Sequence, residues 1–312
     1  MQTFYYPNIP ADFSPVATTG FFDGVHQGHR AVLDKLKEVA AKYQKPSCVV
    51  TFWPHPRMVL NKETESLFLL TSLNEKKELL EKEGIDYLCI VPFTTDFARI
   101  TSHTFFNDYL KEKLRVTHLV IGYDHHFGHN REAGYEAIER LGNKYDISVE
   151  KVEASKLDMV SVSSTKIRTI LSEGNVSLAN AYLGYSYRLT GRVVEGMRIG
   201  HQLGFPTANI QLDEPLKLIP KVGVYAVMAT VNGSSRYKGM MNIGSRPTIS
   251  DDFRISIEVH LFDFDHNIYG ANIEVECVER TRDELKFGSM EELSEQLKAD
   301  SKVVSYVLNG KK

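Results

Sequence analysis

The sequence predicts an α/β protein of two domains: a parallel sheet flanked by helices, followed by an antiparallel barrel or sandwich that ends in a helix. Two observations lead to this division. Between residues 14 and 158, short β-rich runs alternate with segments of helical period, which is typical of a parallel sheet with right-handed crossovers. After residue 185, six strand-like runs follow one another without a helical period until residues 289–308. The predicted domains are therefore 1–184 and 185–312.

Length, composition and charge describe a soluble globular chain. Its 312 residues suit two domains of ordinary size, and 42% of them are hydrophobic while 25% are charged. A formal net charge of −3 gives no reason to expect a general affinity for nucleic acid. No apolar run approaches the roughly 20 residues that span a bilayer, and the N-terminus lacks the pattern of a secretion signal. We expect a cytoplasmic protein, monomeric or weakly homo-oligomeric, that binds neither membranes nor nucleic acid.

Three cysteines, Cys48, Cys89 and Cys277, are far apart in the sequence. Each lies in an apolar, strand-like run, and an odd number of cysteines cannot pair completely. The simplest interpretation is that all three are reduced residues of the core.

The first domain is predicted from its periodicity, one element after another. The helix at 30–43 follows from apolar residues close to helical spacing, and the helix at 72–83 begins with a possible capping box of Ser72 and Glu75. Further helices are predicted at 102–114 and 134–144, and strands are predicted at 14–18, 47–52, 87–91, 117–121 and 147–152. Ligands of such sheets bind beyond the carboxyl ends of the strands, so the loops that follow the strands form the candidate site.

The loop at residues 18–29, which follows the first strand, carries the most informative motif of the chain. Gly20 and Gly24 let its backbone adopt positive φ and come close to a bound group. His26 and His29 are three residues apart at the start of the helix, so they share one face of it. Two imidazoles beside the free N–H groups of a helix start form a cradle for a polyphosphate. The alternative is a turn with two solvated histidines.

Three further stretches of the first domain lie at similar places. Residues 51–56 carry two prolines that stiffen the exit of the second strand. Residues 163–168, Ser-Ser-Thr-Lys-Ile-Arg, offer hydroxyls that cap a helix or touch phosphate and cations that hold phosphate charge. Residues 121–129 follow the fourth strand and contain three histidines. The neighbouring glycines and the lack of a nearby cysteine favour ligand-facing loop histidines over a metal site there.

The second domain is predicted from strands and their turns. A helix at 177–183 stops at Gly184, and strand-like runs then follow at 187–195, 207–211, 223–231, 236–243, 254–262 and 271–279. Asn232-Gly233, between two of these runs, is a strong signal for a hairpin turn. Strands in such close succession indicate an antiparallel barrel or sandwich.

One strand of this domain carries a pair of polar residues that suits metal and phosphate binding. Its extended backbone points Thr207 and Asn209 to the same side, where a hydroxyl and an amide oxygen can hold a hard cation such as Mg²⁺ with phosphate oxygens. Four glycines before this pair would keep the approach open for a nucleotide: Gly191, Gly196, Gly200 and Gly204. The alternative is a solvated polar pair on a strand face.

Glu258 lies in the middle of another predicted strand, whose apolar face comprises Ile255, Ile257, Val259 and Leu261. β-propensity disfavours Glu at such a position, which favours a functional interpretation. Its carboxylate could serve as the general base for an alcohol that attacks a phosphate. The alternative is an exposed or salt-bridged Glu.

Taken in order, these motifs resemble those of the bacterial bifunctional riboflavin kinase and FMN adenylyltransferase family over nearly the whole chain. The N-terminal marks are Gly-Phe-Phe-Asp-Gly-Val-His-Gln-Gly-His at 20–29, residues 51–56, Gly122-Tyr-Asp124, Phe127-Gly128, and Ser163-Ser164-Thr165 with Arg168. The C-terminal marks are Leu-Gly-Phe-Pro-Thr-Ala-Asn-Ile at 203–210, Asn-Ile-Gly-Ser-Arg-Pro-Thr at 242–248, Glu-Val-His-Leu-Phe-Asp-Phe at 258–264, and Tyr269-Gly270. Each motif is modest, whereas their joint presence in this order is specific.

The resemblance implies a Rossmann-like nucleotidyltransferase domain and a riboflavin kinase-like barrel. Together they would convert riboflavin and ATP into FMN and ADP, then FMN and ATP into FAD and pyrophosphate. Glu258 is implied to be the base for the ribityl hydroxyl, His26 and His29 to act on the triphosphate, and Thr207 and Asn209 to hold Mg²⁺ with the ATP phosphates. The other nucleotide- and phosphate-binding positions implied are Gly20, Phe22, Asp23, Gly24, Ser163, Ser164, Thr165, Arg168, Gly196, Gly204 and Pro206. The implied flavin-binding positions are Pro56, Asp124, Phe127 and Arg131.

Three positions depart from the family pattern: Phe21 replaces a common Asn, His125 a common aromatic residue, and His201 a common Arg. These departures concern substrate affinity more than the reactions.

One alternative function is a transferase with another acceptor whose barrel only binds flavin, although the retained kinase residues argue against an inert barrel. Another is a non-catalytic flavin sensor that binds RNA or protein. Binding of RNA would need a basic stripe with interleaved aromatic residues, and the sequence has none.

Overall fold

The computed structural model describes residues 1–60, 68–122, 134–152, 162–196, 199–247 and 253–310. The chain divides into two compact units, Met1–Ser164 and Thr165–Lys312. This division lies N-terminal to residue 184, where the sequence places the end of the first domain. The exact point at which the two functional domains separate stays a prediction.

A parallel sheet forms the centre of the first unit, as predicted, and it has six strands where five were predicted. Its strands are β1 (Gln2–Tyr5), β2 (Val16–Thr19), β3 (Ser47–Trp53), β4 (Tyr87–Pro92), β5 (His118–Ile121) and β6 (Ser148–Lys151). They lie in the order β1-β4-β3-β2-β5-β6, and every neighbouring pair is parallel. The chain runs from β2 through β3 to β4 and then returns to the other side of β2. The strand order therefore reverses at the β2–β5 pair.

Helices connect these strands. They are α1 (Gln27–Tyr43), α2 (Pro56–Val59), α3 (Leu73–Lys82), α4 (Ser102–Thr104) and α5 (Tyr135–Lys144), with a short 3₁₀ turn at Phe97–Arg99. α1 buries an apolar stripe of Leu33, Leu36 and Val39 and packs against β2, β3 and β5. α3 begins with the predicted capping box, in which Ser72 Oγ accepts from Glu75 N at 3.2 Å and Glu75 Oε2 accepts from Ser72 N at 2.8 Å.

Two parts of the first unit differ from the prediction. The predicted sheet begins at residue 14, whereas β1 already pairs with β4 at the sheet edge. Four residues with a single buried side chain, Phe4, form too short a pattern to indicate a strand. The helix predicted at 102–114 continues from α4 as a π-helix over Phe105–Lys113, in which the rings of Phe105 and Tyr109 stack at a centroid distance of 5.5 Å.

All three cysteines are free and buried, as predicted. Cys48 on β3 and Cys89 on β4 belong to the main core of the first unit, where they pack with aromatic and aliphatic side chains such as Phe106 and Leu119. Cys277 is buried on a strand of the second unit. Burial raises the pKa of each thiol, to about 12 for Cys89 and Cys277. The three side chains therefore serve as core residues.

A closed barrel of six antiparallel strands forms the second unit, which decides between the predicted barrel and sandwich. Its strands are β7 (Tyr187–Val194), β8 (Ala208–Leu212), β9 (Gly223–Val231), β10 (Ser235–Pro247), β11 (Phe253–Leu261) and β12 (Asn272–Arg282). They close in the order β10-β11-β8-β7-β12-β9. Asn232 and Gly233 form the predicted hairpin turn between β9 and β10, with φ of 47° and 67°.

The remaining helices are α6 (Ser164–Glu173), α7 (Val176–Leu183), α8 (Ile199–Gln202) and α9 (Met290–Leu308). Ser289 caps the start of α9, since its side chain accepts from Glu292 N at 3.2 Å. Val304 of α9 is fully buried and packs against Ala226 and Met240 of the barrel. Among the described residues, no helix combines the length and the apolar character needed to cross a membrane.

Hydrogen bonds join α6 and α7 to the barrel, and two of them are made by the side chain of Asn180 on α7. Asn180 Nδ2 donates to the carbonyl of Cys277 on β12 at 2.8 Å, and Asn180 Oδ1 accepts from Tyr187 N on β7 at 2.7 Å. The carbonyl of Leu171 on α6 accepts from Lys221 N at 3.1 Å. These bonds explain why residues 165–184 group with the barrel although they precede its first strand.

Candidate active sites

The first candidate site lies at the carboxyl edge of the parallel sheet, where β2 and β5 end. Because the strand order reverses between these two strands, their exits leave a crevice of the kind in which α/β sheets bind nucleotides. The loop at residues 20–26 leaves β2 into this crevice, and α1 starts directly after it. β3, the other neighbour of β2, ends beside it at Trp53.

His26 and His29 lie against each other at the start of α1. His26 is the N-cap residue, with φ of −73° and ψ of 174°, and its side chain makes no capping hydrogen bond. The two imidazole rings stack with centroids 3.7 Å apart and planes 16° apart, which confirms that they share one face. Nδ1 of His29 is buried and has no hydrogen-bond partner among the described residues. The pair therefore presents polar nitrogen atoms beside the free N–H groups of α1.

The pKa of His29 lies well below its ordinary value. Burial of the ring is the main cause, and the neighbouring His26 and the positive charge of Lys76 lower it further. The ring of Phe22, at a centroid distance of 5.0 Å, covers another part of this imidazole. His29 is therefore neutral near pH 7 when no ligand is bound.

The loop before α1 is held in place by the carboxylate of Asp23. Its oxygens accept from Leu70 N at 3.1 Å, from Thr71 N at 3.0 Å and from Thr71 Oγ1 at 3.1 Å. Gly24 N donates to the same Thr71 hydroxyl at 3.1 Å, and its φ of 86° is one that glycine adopts without strain. Asp23 thus anchors the loop, while its predicted contact with the nucleotide stays a prediction.

The start of α6 is tied to the same loop. Ser164 Oγ donates to the carbonyl of Asp23 at 2.9 Å, so a hydroxyl predicted from the sequence does lie beside the histidine loop. Ser163 is partly buried just before it. Thr165 is exposed and Arg168 is partly buried on α6, and both belong to the second unit.

The structure also gives the positions of the other predicted residues of this site that lie in the described ranges. Gly20 continues β2, and its N–H donates to the carbonyl of Val50 at 3.1 Å. Phe21 packs against Phe52 and His55, with centroid distances of 5.5 and 5.0 Å. It therefore contributes an aromatic ring to the wall of the site. Pro56 begins α2. The predicted flavin-binding residues outside the described ranges are Asp124, Phe127 and Arg131, and the histidines at 125, 126 and 129 also lie outside them.

Lys76 on α3 is a residue of this region that the sequence analysis did not select. Its side chain is buried, with 3% of the residue exposed, and Nζ lies 5.6 Å from the centre of the Trp53 ring. Burial lowers the pKa of Lys76 to about 8, although the charge of Asp23 opposes this effect. A signal was available in the sequence, because Lys76 shares the apolar helix face of Leu79 and Leu80.

The second candidate site is a polar row across three strands of the barrel. Asn209 on β8, Glu258 on β11 and Asn242 on β10 lie directly opposite one another in the ladder, so their side chains point to the same face. Thr207 Oγ1 donates to Glu258 Oε2 at 3.4 Å, so the side chains of Thr207 and Glu258 are in contact. Asn242 was not predicted as a site residue, because its alignment with Glu258 depends on strand register.

A cavity of about 230 Å³ opens next to this row. Thr207, Asn242 and Glu258 line its polar part, and the carboxylate of Glu284 lies at the same wall. The apolar part is lined by Phe205, Val224, Met240, Met241, Leu285, Phe287, Leu293 and Leu297. A pocket with one polar end and one apolar end suits a ligand that combines a flat apolar group with a polar chain.

An ion pair of Arg282 and Asp300 also lines this cavity. Arg282 on β12 binds Asp300 on α9 with two hydrogen bonds, of 2.8 Å from Nε and 2.6 Å from Nη2. Gln296 Nε2 donates to Asp300 Oδ1 at 2.8 Å. Asp300 is 4% exposed, and its contacts join the terminal helix to the barrel. The sequence pattern gave no indication of this pair.

His260, two residues after Glu258, holds the segment before β8 that bears Thr207. Its Nδ1 lies 2.8 Å from the carbonyl of Pro206, and its ring packs edge-on against Phe205 at 5.2 Å. Burial lowers the pKa of His260, and the hydrogen bond to Pro206 partly opposes this shift. The neutral ring then donates from Nδ1 to that carbonyl and fixes the start of β8.

Gly196 leaves room for the side chain of Asn209. A Cβ atom at this position would lie 2.0 Å from Asn209 Nδ2, so any other residue would displace the amide. Gly204 and Pro206 lie in the exposed turn before β8, and the backbone of Gly204 has a φ of 79°. Of the predicted apolar face of β11, Ile257, Val259 and Leu261 are buried, whereas Ile255 at its start is 49% exposed.

Together with Thr207, the polar row has the donor set that Mg²⁺ prefers. Thr207, Asn209 and Glu258 supply hydroxyl, amide and carboxylate oxygens from adjacent strands, and Mg²⁺ binds a few such hard ligands while it retains water. In the described ranges, no group of three or more His, Cys, Asp or Glu residues is arranged for a metal ion. The residues present therefore fit a cation that arrives with phosphate oxygens.

Comparison with known proteins gives two family matches in the order of the two sites. A FAD synthetase family model matches residues 10–166, and a riboflavin kinase family model matches residues 183–308. The bifunctional riboflavin kinase/FMN adenylyltransferase of Listeria monocytogenes is 39% identical over 290 residues, 93% of this chain and 91% of that protein. The protein of the same name from Bacillus subtilis is 37% identical over 302 residues, 95% of this chain and 94% of that protein.

Among solved structures, a crystal structure from Streptococcus pneumoniae matches nearly the whole chain. It has a TM-score of 0.87 and 31% sequence identity, and the match covers 97% of this chain and 98% of that chain. That protein is named a macrolide-efflux protein, whereas both family models and the relatives above name flavin enzymes.

Proposed function

Because the chain belongs to the family of bifunctional riboflavin kinase/FMN adenylyltransferases, we propose that the two sites described above carry its two reactions. The chain phosphorylates riboflavin to FMN with ATP, and it adenylylates FMN to FAD with release of pyrophosphate. FAD synthesis belongs to the N-terminal part and riboflavin phosphorylation to the C-terminal part. The roles of individual residues are proposed from the family motifs and, for the described residues, from their geometry.

In adenylyl transfer, the phosphate of FMN attacks the α-phosphorus of ATP, and the bond to the pyrophosphate oxygen breaks. The attacking phosphate is already ionised near neutral pH, so the site acts mainly by positioning and by stabilising charge. His26, His29 and the N–H groups that open α1 form the proposed cradle for the triphosphate. The observation that carries this role is the stacked pair at the helix start, with Nδ1 of His29 buried and unbonded in the described part of the chain.

The protonation state of His29 suits this cradle. With its pKa lowered by burial, the imidazole is neutral in the free site, which avoids an unpaired charge in a dry environment. The negative charge of an arriving triphosphate favours the protonated ring. The ring can then donate hydrogen bonds from both nitrogen atoms.

The surrounding residues shape the cradle and extend it. Asp23 and Gly24 fix the loop through Thr71, and we propose that Gly20 and Phe22 complete its wall. The proposed phosphate-binding residues at the start of α6 are Ser163, Ser164, Thr165 and Arg168. The proposed flavin-binding residues of this site are Pro56, Asp124, Phe127 and Arg131.

In the kinase reaction, Glu258 is the proposed general base. It takes the proton from the terminal ribityl hydroxyl, whose oxygen attacks the γ-phosphorus of ATP while the bond to ADP breaks. The apolar part of the adjoining cavity suits the flat ring system of riboflavin, and the row at Glu258 suits its polar chain. Gly196, Gly204 and Pro206 border the proposed nucleotide path.

Thr207 and Asn209 are the proposed holders of Mg²⁺ in the kinase site. Mg²⁺, when bound, would neutralise phosphate charge and align the triphosphate. The hydrogen bond from Thr207 to Glu258 keeps the hydroxyl and the carboxylate on one side of the barrel. Neighbouring strands thus bring the proposed metal ligands and the proposed base together.

The setting proposed for these reactions is simple. The substrates are small molecules, and we propose that the protein works in the cytoplasm without membrane or nucleic acid partners. We propose a monomer or a weak homo-oligomer.

Selective inactivation of each site tests the assignment. His29→Ala should reduce conversion of FMN to FAD by roughly 30- to 1,000-fold, the effect of losing about 2–4 kcal/mol of transition-state stabilisation. Glu258→Gln should reduce riboflavin phosphorylation by about 100- to 10,000-fold, the usual contribution of general base catalysis. Each variant should leave the other reaction nearly unchanged. Chromatography of reactions supplied with riboflavin or with FMN, each with ATP and Mg²⁺, measures both rates.

His103→Ala is the matched control, because His103 lies in the same unit and contacts Tyr145 outside the cradle. A loss of FAD synthesis smaller than about threefold in His29→Ala would contradict the phosphate role. Failure of Glu258→Gln to convert supplied FMN would contradict the separation of the sites. Flavin binding without turnover in the unmodified protein would favour a sensor.

A further inference from the structure

Lys76 is a buried cation whose ammonium group has no hydrogen-bonded anionic partner among the described residues. Only 3% of the residue is exposed, and its ammonium group has no hydrogen bond or ion pair with the described residues. The ring of Trp53 lies 5.6 Å away, and the charge of Asp23 also attracts the ammonium group. Buried charges are usually paired, because desolvation of an isolated charge is costly. An unpaired ammonium in this position therefore indicates a missing anionic partner.

The fold directs this ammonium to the polyphosphate cradle. Trp53 ends β3 at the carboxyl edge of the sheet, directly beside β2 and its loop. Thr71 is bonded both to Asp23 and to Gly24, and it lies one residue before the cap of α3, so the helix start is fixed against the same loop. The backbone N–H of Lys76 bonds the carbonyl of Ser72 at 3.0 Å, within that first turn. Lys76 thus lies near the carboxyl edge of the sheet, at the start of a helix whose end contacts α1 through the ion pair of Arg30 and Glu83.

Electrostatics support the same placement. The positive charge of Lys76 contributes to the low pKa of His29, and the charge of Asp23 acts on Lys76 in turn. The ammonium group is therefore close enough to sense both the imidazole pair and the loop anchor. Near neutral pH it remains mostly protonated, because its own pKa is about 8.

We propose that Lys76 binds the polyphosphate of ATP in the N-terminal site and donates hydrogen bonds to the pyrophosphate as it leaves. This inference rests on the proposed cradle of His26 and His29 and adds a fixed cation to it. As the bond between the α-phosphorus and the bridging oxygen breaks, the electron pair stays on that oxygen. The new charge is then shared with the N–H groups of Lys76. The bound pyrophosphate is the anionic partner that the buried ammonium lacks.

Substitution of Lys76 by Met tests the proposal, because Met keeps the length of the side chain and removes its charge. The probe is inorganic pyrophosphate, used as the substrate of the reverse reaction with FAD. Lys76→Met should raise the KM for pyrophosphate by roughly 10- to 100-fold, the effect of one charge-assisted hydrogen bond. The KM for FAD and the rate of riboflavin phosphorylation should change less than about twofold on the same scale.

Stability separates a binding role from a structural one. Trp53 is the only tryptophan of the chain, so its fluorescence follows unfolding of this region in the full-length protein. A lysine that awaits a ligand is an unpaired buried charge, and Lys76→Met should leave stability unchanged or raise it. A lysine that holds the fold together would instead make the variant less stable or unable to fold, and either outcome would overturn the proposal.

Lys77→Met is the matched control, since the next residue of the same helix is partly exposed and donates to the hydroxyl of Tyr5 at 3.3 Å. Its KM for pyrophosphate should equal that of the unmodified protein. A second variant, Lys76→Gln, keeps a polar end without the charge and should lose pyrophosphate affinity as Lys76→Met does. Unchanged affinity in both Lys76 variants would overturn the proposal.

The comparison with His29→Ala separates this inference from the proposed function. If His29→Ala impairs FAD synthesis and the Lys76 variants do not, the cradle stands and only the role of Lys76 is wrong. If His29→Ala has no effect on FAD synthesis, the proposed cradle is wrong. The inference about Lys76, which depends on the cradle, is then wrong as well.

Discussion

The two candidate sites are built from different parts of their folds. In the first unit, the polar groups come from loops and helix starts beyond the ends of parallel strands, and Asp23 and Thr71 hold the loop by hydrogen bonds. In the second unit, the polar groups point from the faces of neighbouring antiparallel strands, and the ladder itself sets the distance between Asn209 and Glu258. A loop site needs residues that anchor it, whereas a strand-face site inherits its geometry from the barrel.

This difference also affects the histidines of the two sites. His29 has a buried Nδ1 with no hydrogen-bond partner in the described residues, while Nδ1 of His260 bonds the carbonyl of Pro206. The first ring is available to a ligand, and the second is occupied by the protein. A histidine near a reacting group can thus bind substrate or position a strand, and its hydrogen-bond partner distinguishes the two roles.

The largest effect should appear when the barrel is isolated from the rest of the chain. We expect fragments 165–312 and 185–312 both to phosphorylate riboflavin, because each contains the polar row and the cavity. The shorter fragment lacks the hydrogen bonds of Asn180 and the buried side chains of Val176 and Leu183, so it should be less stable by about 3–5 kcal/mol. Urea unfolding followed by circular dichroism measures the difference. A folded longer fragment without kinase activity would contradict the independence of the strand-face site.

A smaller effect is expected when one member of the polar row is changed. Asn209→Ala deletes a proposed ligand of Mg²⁺, and Asn209→Asp adds a negative charge that attracts the metal but repels the triphosphate. At low Mg²⁺, both variants should phosphorylate riboflavin about 10- to 100-fold more slowly than the unmodified protein. Raising Mg²⁺ should restore more activity to the aspartate variant than to the alanine variant. The kinase rate measured against free Mg²⁺ at fixed ATP shows whether this occurs.

FAD synthesis from supplied FMN is the internal control for both Asn209 variants, since the first unit has its own proposed ATP site. Kinase rates equal to that of the unmodified protein at low Mg²⁺ would show that Asn209 does not touch the ATP–metal complex. The residues at 207–209 would then be only part of the barrel.

The smallest effect concerns the acid stability of the loop site. His29 has a folded-state pKa well below the value of about 6.5 expected for the unfolded chain, so the native state binds fewer protons below that pH. Its contribution to stability is present above pH 6.5 and is lost as the pH falls toward the folded pKa. Between pH 7 and 5.5, the unmodified protein should lose about 1 kcal/mol more than His29→Gln. Urea unfolding followed by Trp53 fluorescence measures this, and equal losses in the two proteins would contradict it.

Most elements of the fold were predictable because they are long enough to show a period. The six barrel strands begin and end within a few residues of their predicted bounds, and the hairpin at Asn232-Gly233 follows from local φ preferences. β1 was missed because four residues do not establish a period. The π-helix over Phe105–Lys113 was missed because its apolar pattern does not differ from that of an α-helix.

The candidate sites were predictable where their residues form a local motif. His26 with His29, and Thr207 with Asn209, are close in sequence, and the structure brings each pair together with the expected orientation. Asn242, Thr71 and Asp300 were missed, because their partners lie far along the chain and meet them only through topology. Lys76 differs from these, since a lysine on an apolar helix face was visible in the sequence.

Burial of the three cysteines makes the protein convenient for labelling with thiol-reactive dyes. Cys48, Cys89 and Cys277 are fully enclosed, and at pH 7 a thiol with a pKa of about 12 is ionised in only about one molecule in 100,000. A maleimide reacts with exposed thiolates, so it should leave all three untouched while the protein is folded. A cysteine introduced at Tyr306, which is 55% exposed on α9, would then be the single reactive position. Fluorophores can thus be attached near the terminal helix without first replacing any native cysteine.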